Sequence, residues 1–487
     1  MVDRVENWLG RAVPRFEDEA LMTGNARFID DLSPVPGIRH VAILRSPHAH
    51  ARIGKIDLEP ARALTGVAGV LSGAELAAGL EPLASAVRAP MSYFPIATDK
   101  VRYVGEPVAL VAAEDRYLAE DAIEAIEVDY EPLEAVVDPI AAQQAGAALL
   151  HEAVGRNLVH QRHFIYGEPD AAFEAAAHTV ELNWRYPRQS STPMETYGAI
   201  AHFEAAPERY TIWSNFQGPF ILQPLMARAL KIPGNHLRLI SAPHSGGSFG
   251  IKQGLYPYLV LMAAASRYLG CPLKWVEDRL EHLSASSSAA ARADGIEAAF
   301  DANGMLTALR FRNCVDVGAY VRAPEPASVY RMQAASNGCY QVRGIAIENR
   351  LVVTNKTPIG LNRGYGGPQF YFGLERAMEI AARKLKLDPA EIRRRNFLPA
   401  SAFPYDAPGG AVYDAGDYGK GLDMALELAE YPELRARRDA AKAEGRLFGI
   451  GLAAGVEPSG SNMAYVTLAL TPEERAKAGG RSGGLAA

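Results

Sequence analysis

Hydrophobic positions change their period several times along the chain. Between Val104 and Val137 an apolar run from Pro107 to Ala113 is followed by Leu118, Ala122, Ile123 and Ile126 at helical spacing. Alternating Val128, Tyr130 and Leu133 come next, so the stretch predicts strand, helix, strand. Together with the strand-like Val41 to Ser46 it predicts a compact α+β unit ending near Pro139, because the following AAQQAGAALL has weak patterning and small residues. From about Ala175 to Leu398 the segments HTVELNWRY, RYTIWSN, HLRLI, PLKWVED and IENRLVVTN read as strands among turns and a few helices, as in a large α+β domain. Leu255 to Tyr268 reads as a buried helix closed by Gly270. Phe372, Leu374, Met378, Ala381, Ala382 and Leu385 share another helical face, and Asp388-Pro389 is a start signal for the next helix. After Gly449 the pattern predicts one more strand, Met463 to Leu470, without partners to follow it, so the chain is expected to be incomplete relative to its fold.

Composition narrows the function classes. The 487 residues, 48% hydrophobic and 22% charged, fit a soluble globular protein of about two to four domains. A formal charge of -6 supplies no global attraction to nucleic acid or an anionic membrane surface. The first residues carry Asp3, Arg4 and Glu6 and no apolar segment, and the longest apolar run, Leu255 to Ala265, is interrupted by Pro257 and too short to cross a bilayer. A cytoplasmic location without a membrane span is therefore expected. The three cysteines, Cys271, Cys314 and Cys339, include no CxxC pair, which excludes a disulfide framework and a four-cysteine metal or iron-sulfur site and leaves buried thiols.

Two glycine-rich stretches carry the candidate chemistry. HSGGSFGIKQ, His244 to Gln253, lies between the strand HLRLI and the buried helix, where a turn presents backbone N–H groups and a helix N-terminus to an anion or oxo group. It is not a phosphate-binding P-loop, because Ile251 separates Gly250 from Lys252, and it lacks the GxGxxG dinucleotide fingerprint. On its glycines alone, a tight turn without a ligand explains it equally. The second stretch, LNRGYGGPQ from Leu361 to Gln369, sets Arg363 and Tyr365 among Gly364, Gly366 and Gly367 ahead of a helix expected from near Phe370. Two such turns, each bearing a cation or an aromatic, point to one ligand approached closely by backbone.

These residues resemble a known family. GGSFGIK (Gly246 to Lys252) and RGYGGPQ (Arg363 to Gln369) are similar to the two cofactor-loop motifs of the molybdenum-binding large subunit of the xanthine dehydrogenase, aldehyde oxidase and aerobic carbon monoxide dehydrogenase family. RFEDEALMTGNARFIDDL, LRSPHAHARI and VRYVGEPVALVAAE look like its N-terminal a/b hammerhead domain. PMETYGAIAHFE, SNFQGP and DPAEIRRRNF look like its first molybdopterin-binding domain. The resemblance implies an α+β chain with an N-terminal extension at 1–14, a hammerhead domain at 15–140, a first molybdopterin-binding domain at 145–445, and the start of an incomplete second one at 446–487. It also implies a molybdenum hydroxylase that carries molybdopterin cytosine dinucleotide, with molybdenum held through the pterin and not by any side chain. Partner subunits with FAD and with [2Fe-2S] clusters would take the electrons. The implied substrate is a small molecule, an aldehyde or an N-heteroaromatic.

By position, the resemblance places Gln217 near the apical oxo ligand of the metal, and Gly246, Gly247, Ser248, Phe249 and Gly250 around the metal's ligands, the last two through their amides. It places Arg363 beside the metal site, Tyr365 against a planar substrate, and Arg331, thirty-two residues before Arg363, where a guanidinium orients substrate and stabilises developing negative charge. Arg331 and Arg363 are thus the candidate catalytic residues. The residues taken alone also allow a surface ion pair for Arg331, core packing for Tyr365 and a backbone cap for Gln217. Gln253 stands where xanthine oxidases have a glutamate, which disfavours xanthine. Arg363 stands where carbon monoxide dehydrogenases have a copper-holding cysteine, and their AYRCSFR context is absent, which disfavours carbon monoxide. The family's GQG loop and its late glutamate base do not occur before Ala487.

The leading expectation is the N-terminal half of a split hydroxylase, completed by a polypeptide with the second molybdopterin domain and the glutamate. The alternative is a truncated, inactive remnant or scaffold that only binds partner subunits. A metal-dependent hydrolase using His48, His50, His151, His160 or His163 is weaker, since HAH and HQRH match no zinc pattern with a helix-borne glutamate; surface or capping histidines are expected there.

Overall fold

The alternating and helical patterns near the N-terminus fold as read. In a computed structural model that describes residues 9–458 and 464–477, the first strands are β1 (Arg39–Arg45), β2 (Ala51–Asp57), β3 (Val67–Ser72), β4 (Lys100–Val101), β5 (Pro107–Ala113) and β6 (Glu127–Pro132). β5 is buried throughout, as an unbroken apolar run requires. The helix Arg116–Glu124 follows it, capped by the Asp115 carboxylate, which accepts from the Leu118 N–H at 2.9 Å. β2, β4 and β6 form a three-stranded antiparallel sheet.

Further strands are β7 (Leu158–Tyr166), β8 (His178–Tyr186), β9 (Gly198–Glu204), β10 (Arg209–Ser214), β11 (Leu237–Ser241), β12 (Leu273–Val276), β13 (Ala291–Phe300), β14 (Leu306–Gly318) and β15 (Gly344–Val353), followed by a short antiparallel pair, Tyr405–Asp406 and Val412–Tyr413. Hydrophobic patterning leaves the strand pairing open. A seven-stranded sheet runs β11-β10-β9-β12-β1-β5-β3, so strands from either side of residue 140 share it. The joint is the parallel pair β1 and β12, with Arg39 opposite Leu273 and His40 opposite Lys274. The helix Tyr256–Leu269 lies on this sheet against β9. It is apolar on nearly all sides and therefore buried, and Gly270 ends it at φ +67° with its N–H bonded to the Ser266 carbonyl at 3.0 Å. Tyr258 of this helix stacks on Trp275 of β12 with ring centroids 4.8 Å apart.

A five-stranded sheet, β7-β15-β14-β13-β8, forms the second layer. The helix Gly367–Leu385 covers β8 and β13. It begins at Gly367, a few residues ahead of the expected start, because Pro368 suits a first helical turn. Gly373 lets this helix touch the sheet: an added Cβ would lie 2.2 Å from the Trp184 ring. The next helix, Pro389–Asn396, starts at Asp388, whose carboxylate accepts from the Ala390 N–H at 2.8 Å, as the Asp-Pro signal predicts.

One expected element differs. Residues Ala464–Ala469 form a 3-10 helix and not a strand; Met463 lies outside the described residues. A lone strand leaves its N–H and C=O groups unpaired, whereas this turn closes on itself, with the Thr467 hydroxyl donating to the Ala464 carbonyl at 2.7 Å and Tyr465 buried. Cys314 and Cys339 are buried and Cys271 partly so, as free thiols. Among the described residues no helix is long and apolar enough to cross a membrane.

The Gly373 contact is testable because helix propensity and packing predict opposite signs. Alanine favours an isolated helix by about 1 kcal/mol, but at position 373 it must overpack Trp184, at a cost of roughly 1–3 kcal/mol. A lower urea midpoint for Gly373→Ala is the expected outcome; a higher one would mean that helix and sheet do not approach this closely.

Candidate functional site

The segment after β11 turns back on itself through three left-handed residues, Gly247 at φ +102°, Phe249 at +56° and Gly250 at +106°. Phe249 is not a glycine, so its conformation must be imposed by its surroundings. Three contacts impose it. The Gln217 Oε1 accepts from the Gly250 N–H at 3.0 Å and from the Ser248 hydroxyl at 2.6 Å. The Glu195 carboxylate accepts from the Gly246 N–H at 2.9 Å. The Phe249 carbonyl accepts from the Arg363 N–H at 2.7 Å, which ties the first glycine loop to the second. The approach leaves no room for side chains: a Cβ at Gly250 would lie 2.8 Å from the Leu361 carbonyl oxygen, and one at Gly246 would lie 2.3 Å from the Glu195 Cβ. A 3-10 turn, Ile251–Leu255, separates the glycines from the helix Tyr256–Leu269, so that helix's N-terminus is not at the loop as the strand-to-helix reading expected.

Gln217, Gly246, Gly247, Ser248, Phe249, Gly250 and Arg363 are therefore brought together. The N–H groups of Gly247, Ser248 and Phe249 have no hydrogen-bond partner among the described residues. Successive amides in such a turn make a concavity for an anionic or oxygen-rich group. The exposed Arg363 guanidinium lies 5.0 Å from the Phe249 ring. Gln253 is buried beneath Gly218, whose added Cβ would lie 3.4 Å from its Nε2.

Glu195 had no role in the sequence reading beyond its place in PMETYGA. It holds Lys252, whose Nζ donates to the same carboxylate at 2.9 Å and which is fully buried. Burial lowers the Lys252 pKa and Glu195 opposes that shift. A lysine so placed needs an acid, but spacing does not say which of the 56 acidic residues supplies it.

Arg331 and Tyr365 form a second cluster at the other end of the 361–367 loop. Arg331 is 8% exposed, not at the surface, with its guanidinium 4.9 Å from the Tyr365 ring centroid and Nη1 donating to the Tyr365 carbonyl at 3.2 Å. Its Nη2 pairs with the Glu457 carboxylate. The Tyr365 hydroxyl meets that of Tyr465, and burial raises its pKa. Gly366 passes so near the Ala327–Tyr330 turn that a Cβ there would lie 2.7 Å from the Ser328 carbonyl, which seats the loop between Phe249 on one side and Arg331 on the other. Glu325 lies fully buried at the start of that turn, accepting from the Ser328 N–H at 3.1 Å and hydroxyl at 2.7 Å. Burial pushes its carboxyl up to about 7.

The histidines of the HAH and HQRH stretches are separately engaged. His50 and His151 are buried, not superficial, because each has a carbonyl to bond, Glu134 at 2.6 Å and Ala319 at 2.7 Å. His160 bonds the Tyr330 hydroxyl at 2.6 Å, His48 packs against Tyr130, and His163 is exposed. Among the described residues no three His, Cys, Asp or Glu side chains group as a metal site.

Comparison with known proteins follows this geometry. Residues 150–397 match the molybdopterin cofactor-binding domain family, and residues 23–134 match the aldehyde oxidase and xanthine dehydrogenase a/b hammerhead domain. The chain is 36% identical to the nicotine 6-hydroxylase large subunit of Paenarthrobacter nicotinovorans, over 94% of this chain and 56% of that one. It is 34% identical to the carbon monoxide dehydrogenase large chain of Hydrogenophaga pseudoflava, over 91% and 57%. The crystal structure of quinoline 2-oxidoreductase from Pseudomonas putida 86 superposes with a TM-score of 0.83 at 35% identity, over 90% of this chain and 56% of that one. The chain thus spans somewhat over half the length of the curated relatives it matches.

Two outcomes test the site's electrostatics. Glu195→Gln leaves Lys252 buried without a counter-charge and should cost roughly 3–5 kcal/mol of stability in urea unfolding; a variant as stable as the parent would show that the pair is not buried. Glu325 holds its proton to about 7 when folded against an ordinary 4.5, so its contribution to stability is full below 4.5 and lost as pH rises through 7. Glu325→Gln should remove most of that pH dependence, roughly 3 kcal/mol of unfolding free energy across the window in urea titrations relative to the parent.

Proposed function

The chain belongs to the molybdenum-binding large-subunit family of xanthine dehydrogenase, aldehyde oxidase and carbon monoxide dehydrogenase, and from its site we propose that it takes part in hydroxylating an N-heteroaromatic or an aldehyde with molybdopterin cytosine dinucleotide. The observation that carries this reading is the run of three unpartnered amides, Gly247 to Phe249, braced by Gln217 and closed by Arg363. The residues fit such a group: glycines and left-handed turns keep Cβ atoms out, and amides with one guanidinium offer donors to an oxygen-rich anion. When bound, the cofactor supplies two-electron oxidation of a substrate carbon, with the new oxygen drawn from water.

The chain's own residues do the rest. The amides of Gly247, Ser248 and Phe249 would hold the cofactor's polar edge, while the Gly250 N–H, which the sequence placed among those donors, is taken by Gln217 and braces the loop. Arg363 balances negative charge there, and Tyr365 offers a flat face to a planar ring. Arg331, fixed over Tyr365, sets its positive charge beside the face where a substrate would lie, where it would stabilise negative charge developing on a heteroatom. The names of two relatives, nicotine 6-hydroxylase and quinoline 2-oxidoreductase, favour the N-heteroaromatic. A hammerhead domain at 15–140, a cofactor domain at 145–445 and the opening of a second at 446–487 would make up this part of the enzyme. The second domain, on a continuation of this chain or on a separate polypeptide, would bring the glutamate that takes up the proton. Electrons would leave to [2Fe-2S] and FAD subunits, in the cytoplasm.

The test is molybdenum and released cytosine nucleotide per chain in protein purified from its host, with every co-purifying polypeptide identified by intact mass. About one of each, together with polypeptides that complete the enzyme, is expected. A folded, partner-bound preparation with neither would leave a scaffold. Gly250→Ala should lower both contents roughly tenfold, the equivalent of the 1–3 kcal/mol of strain such a position stores, without unfolding the chain.

A further inference from the structure

Arg331 reaches the Tyr365 ring with its charge already answered. Its Nη2 is held by the Glu457 carboxylate and lies 3.4 Å from the Pro458 carbonyl, while Nη1 serves the Tyr365 carbonyl. Glu457 is placed by its backbone. The Leu452 carbonyl accepts from Arg393 at 2.8 Å, the Ala454 N–H donates to Glu375 at 2.9 Å, and the Val456 N–H donates to the Tyr371 hydroxyl at 2.8 Å. Alternate residues of an extended strap are thus anchored to two helices, and the strap carries Glu457 to the loop: a Cβ at Gly367 would lie 3.0 Å from its Oε2. The Arg331 side chain is 9% exposed and that of Glu457 51%, so the cation is buried and the anion reaches solvent.

We propose that Glu457 sets the charge selectivity of the substrate site, admitting uncharged or cationic aromatic ligands and rejecting aromatic carboxylates. The proposal rests on the reading of Arg331 and Tyr365 as substrate-facing. A carboxylate arriving over Tyr365 would need Arg331, and would find a second carboxylate on the same guanidinium; two like charges at that distance repel. A neutral heteroatom can share the guanidinium without that penalty. Glu457 acts through Arg331 and is a positioning residue, not a catalytic one.

The experiment is equilibrium titration of the full chain with benzoate and its neutral isostere benzamide, which needs no metal. The parent chain should bind benzamide more tightly than benzoate. Glu457→Gln keeps the side-chain shape and leaves Arg331 buried without its counter-ion, so benzoate affinity should rise at least about tenfold, the scale of a charge-assisted hydrogen bond gained, with benzamide within about twofold. Adding Arg331→Met should abolish that gain. An unchanged benzoate-to-benzamide ratio in Glu457→Gln, a gain that survives loss of Arg331, or no binding of either probe would each overturn the proposal. Should Glu457→Gln not fold, benzoate binding to the parent as tightly as benzamide overturns it alone. Molybdenum content of protein purified from its host separates this result from the cofactor reading: a partner-bound preparation without the metal that still shows the charge preference sinks that reading and keeps this one.

Discussion

The Arg363 N–H donates to the Phe249 carbonyl at 2.7 Å, and the Gly250 Cα passes beside the Leu361 carbonyl close enough that a Cβ would lie 2.8 Å from it. Two backbones that meet this closely must be free of side chains at the crossing, which is why glycine recurs on both loops. The crossing imposes the left-handed Phe249, turns three amides outward and presents Arg363 beside them. Its supports are local: Gln217 from the turn after β10, Glu195 from the segment before β9, and the Ala327–Tyr330 turn beneath Gly366. Each is fixed by a sheet or a buried helix, so the loops inherit rigidity from the layers behind them.

Charge is buried in pairs around that crossing. Lys252 with Glu195, Arg331 with Glu457 and Arg393 with Glu375 are each held with at least one partner largely out of solvent. Such pairs contribute little net stability compared with apolar packing, but losing one partner is costly, so each pair locks a geometry. The first fixes the glycine loop from below and the second orients the guanidinium over Tyr365. The third anchors the strap that carries Glu457. Glycine loop, aromatic face and strap are therefore coupled through ion pairs that no short sequence motif displays.

The seven-stranded sheet has the same character. The hydrophobic pattern divides the chain near Pro139, and apart from the strand expected at Met463 to Leu470 the elements read on each side form close to where the pattern puts them. The β1 and β12 pairing nevertheless carries the sheet across that division, joining residues more than 230 positions apart, Arg39 and Leu273 among them. Backbone hydrogen bonding between edge strands is blind to side-chain periodicity, so only the folded chain shows which edges meet.

By itself, the sequence determined the elements and the identity of the loops. β5, β8, the buried helix ended by Gly270 and the helix started by Asp388 follow from period, cap and breaker, which are local properties. The meeting of the two glycine loops was legible as well, because close backbone approach demands glycine and leaves a pattern, whereas the places of Gln217 and Arg363 beside them followed from the family resemblance. The tertiary structure alone decided the rest: the 3-10 turn at Ala464–Ala469, the burial of His50 and His151, the shared sheet, Glu195 beneath Lys252 and Glu457 on Arg331. These depend on which distant group meets a buried charge or an unpaired backbone atom. A charged residue's own neighbours in sequence look alike wherever it ends up, and only the packed chain selects its partner.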